Sequence, residues 1–288
     1  MRIAVIGTGG VGGYFGAQLA KAGADVTFVA RGRQLAALRE HGLVVEGPLA
    51  PVRLPAVQAT DDVAGIGPVD VAMVCVKLWD LENVAPALLP LVADGGVAIP
   101  FQNGVDAPDM LRAVLGAAAV AGGTAHVSAT LRAPGVIAQT GAFAKLRVGA
   151  FEATRSGPLD AFVAAARNAG VDCERVDDVR AALWDKFSFL ASFAGVTAAA
   201  RAPIGIVRAD PHLRATLEAA FREVSAVGRA LGVSLPPDLP ERQLAFCDGA
   251  PAELRSSQLN DLVAGGRIEA PWLSGAVVRI AAGAGVPV

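Results

Sequence analysis

Short apolar runs alternate with stretches of helical periodicity along the first 177 residues of the chain. The clearest apolar runs are Arg2–Ile6, Asp25–Ala30, Asp70–Val76 and Val97–Phe101. Strands that are apolar along their whole length and separated by helices are typical of a parallel sheet that is covered on both faces. The pattern therefore predicts an α/β fold with a Rossmann-type, doubly wound parallel sheet.

The pattern after Phe101 predicts mostly strands, and one more helix, before residue 178. We expect the last of these strands to close the parallel sheet. The strand-like runs after Phe101 are Val120–Leu131, Gly135–Thr140, Leu146–Val148 and Val171–Val176, and the helix is Pro158–Ala169. The helical stretches before Phe101 are Val11–Ala22, Gln34–His41 and Leu81–Val92.

Beyond Asp178 the strand signal disappears and helical periodicity takes over. The clearest helix runs from Asp210, a residue type that caps helix N-termini, to the terminating Gly232. Glu218 and Arg222 lie one turn apart on this helix, at the spacing of a stabilising ion pair. We therefore expect two domains, residues 1–177 with the sheet and residues 178–288 built of helices alone.

The composition narrows the class of protein. Hydrophobic residues make up 53% of the 288 residues, charged residues 18%, and the formal net charge is −2. We expect no nucleic-acid partner for so weakly charged a chain, and no membrane span, because the longest apolar stretch, Phe187–Ala200, is too short. Cys75, Cys173 and Cys247 lie far apart and fit no disulfide framework, which indicates a reduced, cytoplasmic protein. We expect no metal, because His41, His126 and His212 have no metal-ligand spacing among themselves or with the cysteines.

The strand Arg2–Ile6 runs directly into a glycine-rich turn at residues 7–12, where a helix begins. In such a turn Gly7 permits the tight bend, Gly9 lets the backbone approach a pyrophosphate, and Gly12 lets helix and strand pack closely. The free N–H groups and the positive dipole end of the helix attract the same phosphates. The predicted cofactor contacts in this turn are Gly7, Gly9, Gly10, Val11 and Gly12.

The residues after the second strand indicate which dinucleotide binds. NAD and FAD sites usually carry Asp or Glu there, whereas this chain has Arg31 and Arg33, and no acid from Val26 to Arg39. A guanidinium binds a 2′-phosphate with paired hydrogen bonds. The predicted cofactor is therefore NADP(H), and Arg31 disfavours a flavoprotein.

Six segments together resemble the ketopantoate reductase (2-dehydropantoate 2-reductase) family. They are MRIAVIGTGGVGGYFG, VARGRQLAALREHGL, VCVKLWD, FQNGVD, ALWDKFSF and SSQLNDLVAGGRIEAPWLSG, in this order over nearly the whole chain. The resemblance implies an NADP-dependent oxidoreductase that reduces a small 2-oxo acid. The implied reaction is 2-dehydropantoate to (R)-pantoate, a step of pantothenate and coenzyme A biosynthesis. The resemblance implies a monomer or a homodimer, and the sequence does not choose between them.

The resemblance also implies roles for individual residues. Lys186 matches the family's catalytic lysine, Glu269 a catalytic-site glutamate, and Asn103 the asparagine between the nicotinamide and the substrate. Lys77 matches a lysine near the adenosine ribose, and Ser257 a contact to the substrate carboxylate. These types suit the chemistry, because hydride transfer to a ketone places negative charge on its oxygen, which a proton donor and an amide stabilise.

Two positions depart from the family pattern. The family has asparagines four and eight residues after the lysine, facing the substrate, where this chain has Leu190 and Ala194. A wall without these amides favours a more apolar 2-oxo acid, which stands as an alternative substrate. A second alternative is a non-catalytic NADP-binding sensor, which would need Arg31 but not Lys186.

Overall fold

The computed structural model describes all residues from Met1 to Val288. Their contacts divide the chain into two units, one formed by Met1–Gln102 with Ala107–Val179 and the other by Asn103–Asp106 with Arg180–Val288. The first unit contains every strand, and the second is helical. The segment Asn103–Asp106 therefore belongs to the second, helical unit, although the residues on either side of it belong to the first unit.

Ten strands of the first unit form two sheets. The strands are β1 (Arg2–Ile6), β2 (Asp25–Val29), β3 (Leu43–Glu46), β4 (Val52–Leu54), β5 (Gln58–Thr60), β6 (Val71–Val74), β7 (Val97–Pro100), β8 (Gly122–Ala133), β9 (Val136–Gly149) and β10 (Asp172–Arg175).

The first sheet is parallel throughout, with the strand order β5-β2-β1-β6-β7. Strands β6 and β7 are buried along their whole length, as expected for a sheet that is covered on both faces. The strand order reverses between β1 and β6, and doubly wound sheets bind their ligands at such a switch point. The predicted α/β fold with a doubly wound parallel sheet is confirmed.

The second sheet has the order β10-β9-β3-β4, and β8 pairs antiparallel with β9. The prediction that the strand within Val171–Val176 closes the parallel sheet is wrong, because β10 pairs with β9 in this second sheet. The runs expected at Gly135–Thr140 and Leu146–Val148 also form one long strand. A local apolar pattern identifies a strand but not its partner, which depends on packing between distant parts of the chain.

Helices connect these strands. The predicted helix at Leu81–Val92 is interrupted by a 3-10 turn at Ala85–Leu88, where Pro86 lacks the N–H group that a regular helix needs. The helices of the first unit are α1 (Gly10–Lys21), α2 (Gly32–His41), α3 (Leu78–Val84), α4 (Leu89–Val92), α5 (Ala107–Leu115) and α6 (Ser156–Asn168).

The second unit contains α7 (Val179–Ala200), α8 (Ile204–Ala209), α9 (Pro211–Ala230), α10 (Leu239–Gly249), α11 (Ser257–Val263) and α12 (Ser274–Ala284). The cap of α9 is as predicted, because Asp210 Oδ1 accepts hydrogen bonds from the N–H groups of His212 and Leu213, both at 2.9 Å. The Glu218–Arg222 pair also forms, at 2.8 Å. No helix combines the length and the apolar character needed to cross a membrane.

Helix α7 is the centre of the helical unit. One side of it packs into an apolar cluster through Phe187 and Ala191, and another side packs into a second cluster through Phe193 and Val196. Enclosure on two sides explains why this helix carries an almost continuous apolar stretch, since a helix that is apolar around most of its circumference is buried. Lys186 directly precedes this apolar stretch and is half-buried.

Candidate active site

The glycine-rich turn lies at the carboxyl end of β1, at the switch point of the parallel sheet. Gly7 has a φ of +102°, and a Cβ on it would lie 2.8 Å from the backbone nitrogen of Val76, at the end of β6. A Cβ on Gly12 would collide with the carbonyl oxygen of Gly7. Strand, turn and helix therefore approach each other as closely as a dinucleotide-binding turn requires.

The first turn of α1 has the properties of an anion site. Gly9 is the N-cap, so no side chain accepts hydrogen bonds from the first N–H groups of the helix. No heavy atom lies within 4 Å of the place where a Cβ on Gly9 would stand, which leaves this side of the turn open. Unpartnered N–H groups at the positive end of a helix dipole bind phosphate, so the turn fits the pyrophosphate of a dinucleotide.

Two polar residues that the sequence analysis did not single out hold the turn in place. The backbone N–H and the hydroxyl of Thr8 both donate to the carbonyl of Val29 at 3.0 Å. Gln34 Nε2 donates to the carbonyl of Thr8 at 2.9 Å. A threonine between two glycines was the available signal, because its hydroxyl is buried here and must find a partner.

Arg31 and Lys77 follow the ends of β2 and β6. Arg31 is exposed and immediately precedes α2, and Lys77 is exposed and immediately precedes α3. The ammonium of Lys77 lies 5.4 Å from the centre of the Trp79 ring. Since both residues follow parallel strands at their carboxyl ends, they lie at the edge of the sheet that also carries the glycine turn, and their contacts with a cofactor remain a prediction.

In the helical unit the structure brings together Lys186, Asn103 and Glu269. Lys186 Nζ donates a hydrogen bond to Asn103 Oδ1 at 3.0 Å, across 83 positions of sequence. Glu269 is only 7% exposed, and its negative charge acts on the Lys186 ammonium. Three residues to which the family resemblance had assigned roles therefore form one polar group beside the apolar stretch of α7.

This environment changes the acidity of the lysine. Burial lowers the pKa of Lys186 to about 8, and the charge of Glu269 opposes that effect by favouring the ammonium form. An ordinary lysine has a pKa of about 10.4 and releases its proton reluctantly at neutral pH. A lysine with a pKa nearer to neutrality is a better general acid, because it is still largely protonated and gives up its proton more readily.

Ser257 stands apart from this polar group. It is the exposed first residue of α11 and makes no hydrogen bond to the other three residues. The neighbouring Ser256 is buried, accepts a hydrogen bond from the N–H of Leu259 at 3.1 Å, and pairs with the hydroxyl of Thr197 on α7 at 2.9 Å. These two contacts, which the sequence analysis did not anticipate, fix the start of α11 and hence the backbone of Ser257.

The two positions that depart from the family pattern differ in their surroundings. Ala194 is 2% exposed within the apolar cluster, and its carbonyl accepts a hydrogen bond from Gln258 Nε2 at 3.3 Å. Leu190 is half-buried at the margin of the same cluster. Leu190 therefore has apolar surface to offer to a ligand, whereas the side chain of Ala194 belongs to the core.

Comparison with known proteins gives two consecutive family matches. Residues 3–153 match the family model described as ketopantoate reductase PanE/ApbA, and residues 178–288 match the model for the C-terminal part of the same family. The two matches together span most of the chain, in the order in which the six sequence segments occur.

Individual relatives agree with these matches. A 2-dehydropantoate 2-reductase from Archaeoglobus fulgidus is 32% identical over 279 residues, which cover 96% of this chain and 90% of that protein. A ketopantoate reductase structure from Ralstonia eutropha has a TM-score of 0.90 and 30% identity, covering 100% of this chain and 94% of that one. A 2-dehydropantoate 2-reductase structure from Geobacter metallireducens has a TM-score of 0.92 and 28% identity, with coverages of 100% and 95%. Because the family matches extend over both units, the chain belongs to the ketopantoate reductase family, and it is an NADP(H)-dependent oxidoreductase of 2-oxo acids that acts at the CH–OH group.

Proposed function

We propose that this enzyme reduces 2-dehydropantoate to (R)-pantoate, a step that would serve pantothenate and coenzyme A biosynthesis. The observation that carries the proposal is the hydrogen bond from Lys186 to Asn103 beside the buried Glu269. The relative from Archaeoglobus fulgidus, which bears the name of this activity, supports the choice of substrate.

The sheet unit would hold the cofactor. The glycine turn at residues 7–12 would bind the pyrophosphate, Arg31 the 2′-phosphate, and Lys77 would lie near the adenosine ribose. NADPH, when bound, supplies the hydride that reduces the keto carbon. Arg31 favours NADPH over NADH because a guanidinium gains a charge-assisted contact only with the phosphorylated ribose.

Lys186 would complete the reduction by protonating the substrate oxygen. As the keto carbon gains two electrons and a hydrogen, its oxygen becomes an alkoxide that takes a proton from the ammonium, and the neutral amine regains a proton from solvent. Asn103 accepts from Lys186 through Oδ1, which leaves its Nδ2 group to donate to the same substrate oxygen. Glu269 would keep Lys186 charged until the transfer.

Ser257 would bind the substrate carboxylate. Its hydroxyl is exposed at the start of α11, so a carboxylate can reach it without displacing core residues. Charge-assisted hydrogen bonds of this kind orient a 2-oxo acid through the end of the molecule that does not react.

A second candidate is a 2-oxo acid without the terminal hydroxyl group of 2-dehydropantoate. The half-buried Leu190 supports this candidate, because it offers methyl groups at a position where the family pattern has an asparagine. A site that hydrogen-bonds a hydroxyl discriminates strongly against an analogue without it, whereas an apolar site hardly distinguishes the two.

A matched pair of substrates separates the two candidates. 2-Dehydropantoate and 3,3-dimethyl-2-oxobutanoate differ only in the terminal hydroxyl, so the ratio of their kcat/KM values, followed by NADPH absorbance, measures how that group is recognised. The proposal predicts a preference of at least about tenfold for 2-dehydropantoate, and a ratio of one or below would favour the second candidate. Leu190→Asn should raise the ratio, while Leu244→Asn, at a half-buried leucine of α10, serves as the control.

The catalytic assignment has its own test. Lys186→Ala should lower kcat about 100- to 10,000-fold, because general acid catalysis contributes a factor of this size. Titration of NADPH fluorescence should give an unchanged Kd in the same variant. The wild-type protein could instead bind NADPH normally but fail to oxidise it in the presence of any 2-oxo acid. That result would indicate a non-catalytic NADP-binding sensor.

A further inference from the structure

Three separate contacts hold the segment Asn103–Asp106 in the helical unit. Asn103 accepts the hydrogen bond from Lys186, and the half-buried Val105 packs against one of the apolar clusters. At the other end of the segment, Arg279 Nη2 on α12 donates to Asp106 Oδ2 at 2.7 Å. Because the segment is only four residues long, a displacement of Asp106 also displaces Asn103.

We propose that Arg279 and Asp106 are positioning residues for the reductase: their ion pair fixes the far end of the segment so that the Asn103 amide meets Lys186. The inference rests on the proposed function, since it is that proposal which places Asn103 beside the reacting carbonyl. The pair acts through Asn103 and has no direct part in the transfer of hydride or proton.

The exposure of the pair indicates positioning rather than stabilisation of the fold. The Arg279 side chain is 57% exposed, and ion pairs of this kind contribute little to folding stability. The Asp106 side chain is only 17% exposed, so the short contact restricts a carboxylate that already has little freedom. Loss of the pair should therefore loosen the segment while the helical unit stays folded.

Helix α9 offers a matched control. Arg222 is 58% exposed, and its Nη2 contacts Glu218 at 2.8 Å within the same helix. A further contact joins Arg222 to Glu241 on α10. Arg279→Gln and Arg222→Gln thus each break the ion pairs of one exposed arginine in the same unit. Only Arg279→Gln removes a contact to the segment Asn103–Asp106.

Kinetics should separate the two variants. Arg279→Gln and Asp106→Asn should each lower kcat about two- to fivefold, a range bounded by the strength of a partly exposed ion pair. KM for the 2-oxo acid and Kd for NADPH should stay within about twofold of wild type, and Arg222→Gln should match wild type throughout. Arg279→Lys should recover most of the loss, and the double variant Asp106→Asn/Arg279→Gln should be no slower than the slower single variant.

Backbone NMR relaxation provides a readout that does not depend on turnover. The amides of residues 103–106 should have lower order parameters in Arg279→Gln than in wild type or Arg222→Gln. Absence of any 2-oxo acid reduction in wild type would refute the proposed function alone, and the order parameters would still test the anchoring. The positioning role would be overturned by equal kcat in Arg279→Gln and Arg222→Gln, by a double variant whose loss is the product of the single losses, or by unchanged order parameters at residues 103–106.

Discussion

Replacing Glu269 by Gln should make catalysis fail at a lower pH than in the wild-type enzyme. The ammonium form of Lys186 is the proton donor, so reduction proceeds below the pKa of Lys186 and is lost as the pH rises through it. Burial has already lowered that pKa to about 8, and the negative charge of Glu269 prevents it from falling further. Glutamine has a similar shape without the charge, so the substitution should lower the pKa of Lys186 again.

The size of the effect follows from the fraction of Lys186 that is charged. With a pKa of about 8, half of the wild-type lysines are charged at pH 8 and nearly all of them at pH 6. A neighbouring opposite charge shifts a pKa by about 1 to 3 units. Loss of one unit would leave about 10% of Lys186 charged at pH 8 but about 90% at pH 6. The expected deficit in kcat/KM is therefore about fivefold at pH 8 and almost nothing at pH 6.

The measurement is a pH profile of kcat/KM for 2-oxo acid reduction, followed by NADPH absorbance. Glu223→Gln is the control, because Glu223 is an exposed acid on α9 and its loss changes the net charge by the same amount. Its alkaline limb should coincide with that of wild type, whereas the limb of Glu269→Gln should move to lower pH by about one unit or more. A deficit of equal size at every pH would refute the reasoning, since it would mean that Glu269 acts by shape or by direct contact and not through the charge of Lys186.

Three further predictions concern the cofactor site and the scaffold. Arg31→Ala should weaken NADPH binding about 10- to 100-fold in fluorescence titrations and NADH binding less than about twofold, because only NADPH loses a guanidinium–phosphate contact; equal losses would contradict the assignment. Gly12→Ala should lower the Tm by several degrees, because the added methyl group collides with the Gly7 carbonyl. Gly9→Ala is the control and should hardly change the Tm, because its methyl group meets open space. Equal Tm values for the two variants would contradict this account of the packing. Asp210→Ala should lower the free energy of unfolding by about 1 kcal/mol in urea titrations, because the α9 cap is lost. Asp210→Asn should keep most of the stabilisation that the cap provides. Identical urea midpoints for Asp210→Ala and wild type would contradict the capping role.

The sequence predicts those parts of the fold whose signals are local. Strands β6 and β7 are apolar throughout because both of their faces are buried, and Asp210 directly indicates the cap of α9. Strands β4 and β5 have three residues each and contain polar side chains such as Arg53 and Gln58, so no periodicity can reveal them. The second sheet follows from pairings between distant strands, which no local pattern encodes.

The candidate site shows the same division. The glycine turn can be predicted from the sequence because its six residues are consecutive. The tight bend, the backbone approach to a pyrophosphate and the close helix–strand packing each require a glycine at one of these positions. Lys186 is conspicuous as a charge beside an apolar stretch. Its hydrogen bond to Asn103 spans 83 positions, and the family resemblance assigned both residues to the active site without predicting that bond. The pair of Ser256 and Thr197 could not be predicted, because neither local sequence contains a pattern that indicates a buried hydrogen bond between two hydroxyl groups.

The small piece of chain from Asn103 to Asp106 limits how this enzyme can be recombined with its relatives. A hybrid that exchanges the C-terminal part at residue 178 would combine Lys186 and Arg279 of one parent with Asn103 and Asp106 of the other. Such chimeras should work only where both parents happen to match at these contacts. If residues 103–106 are transplanted together with the C-terminal part, both contacts keep their partners from one parent. We therefore expect substrate preference to be exchangeable between relatives only when the segment Asn103–Asp106 is transferred with the C-terminal part.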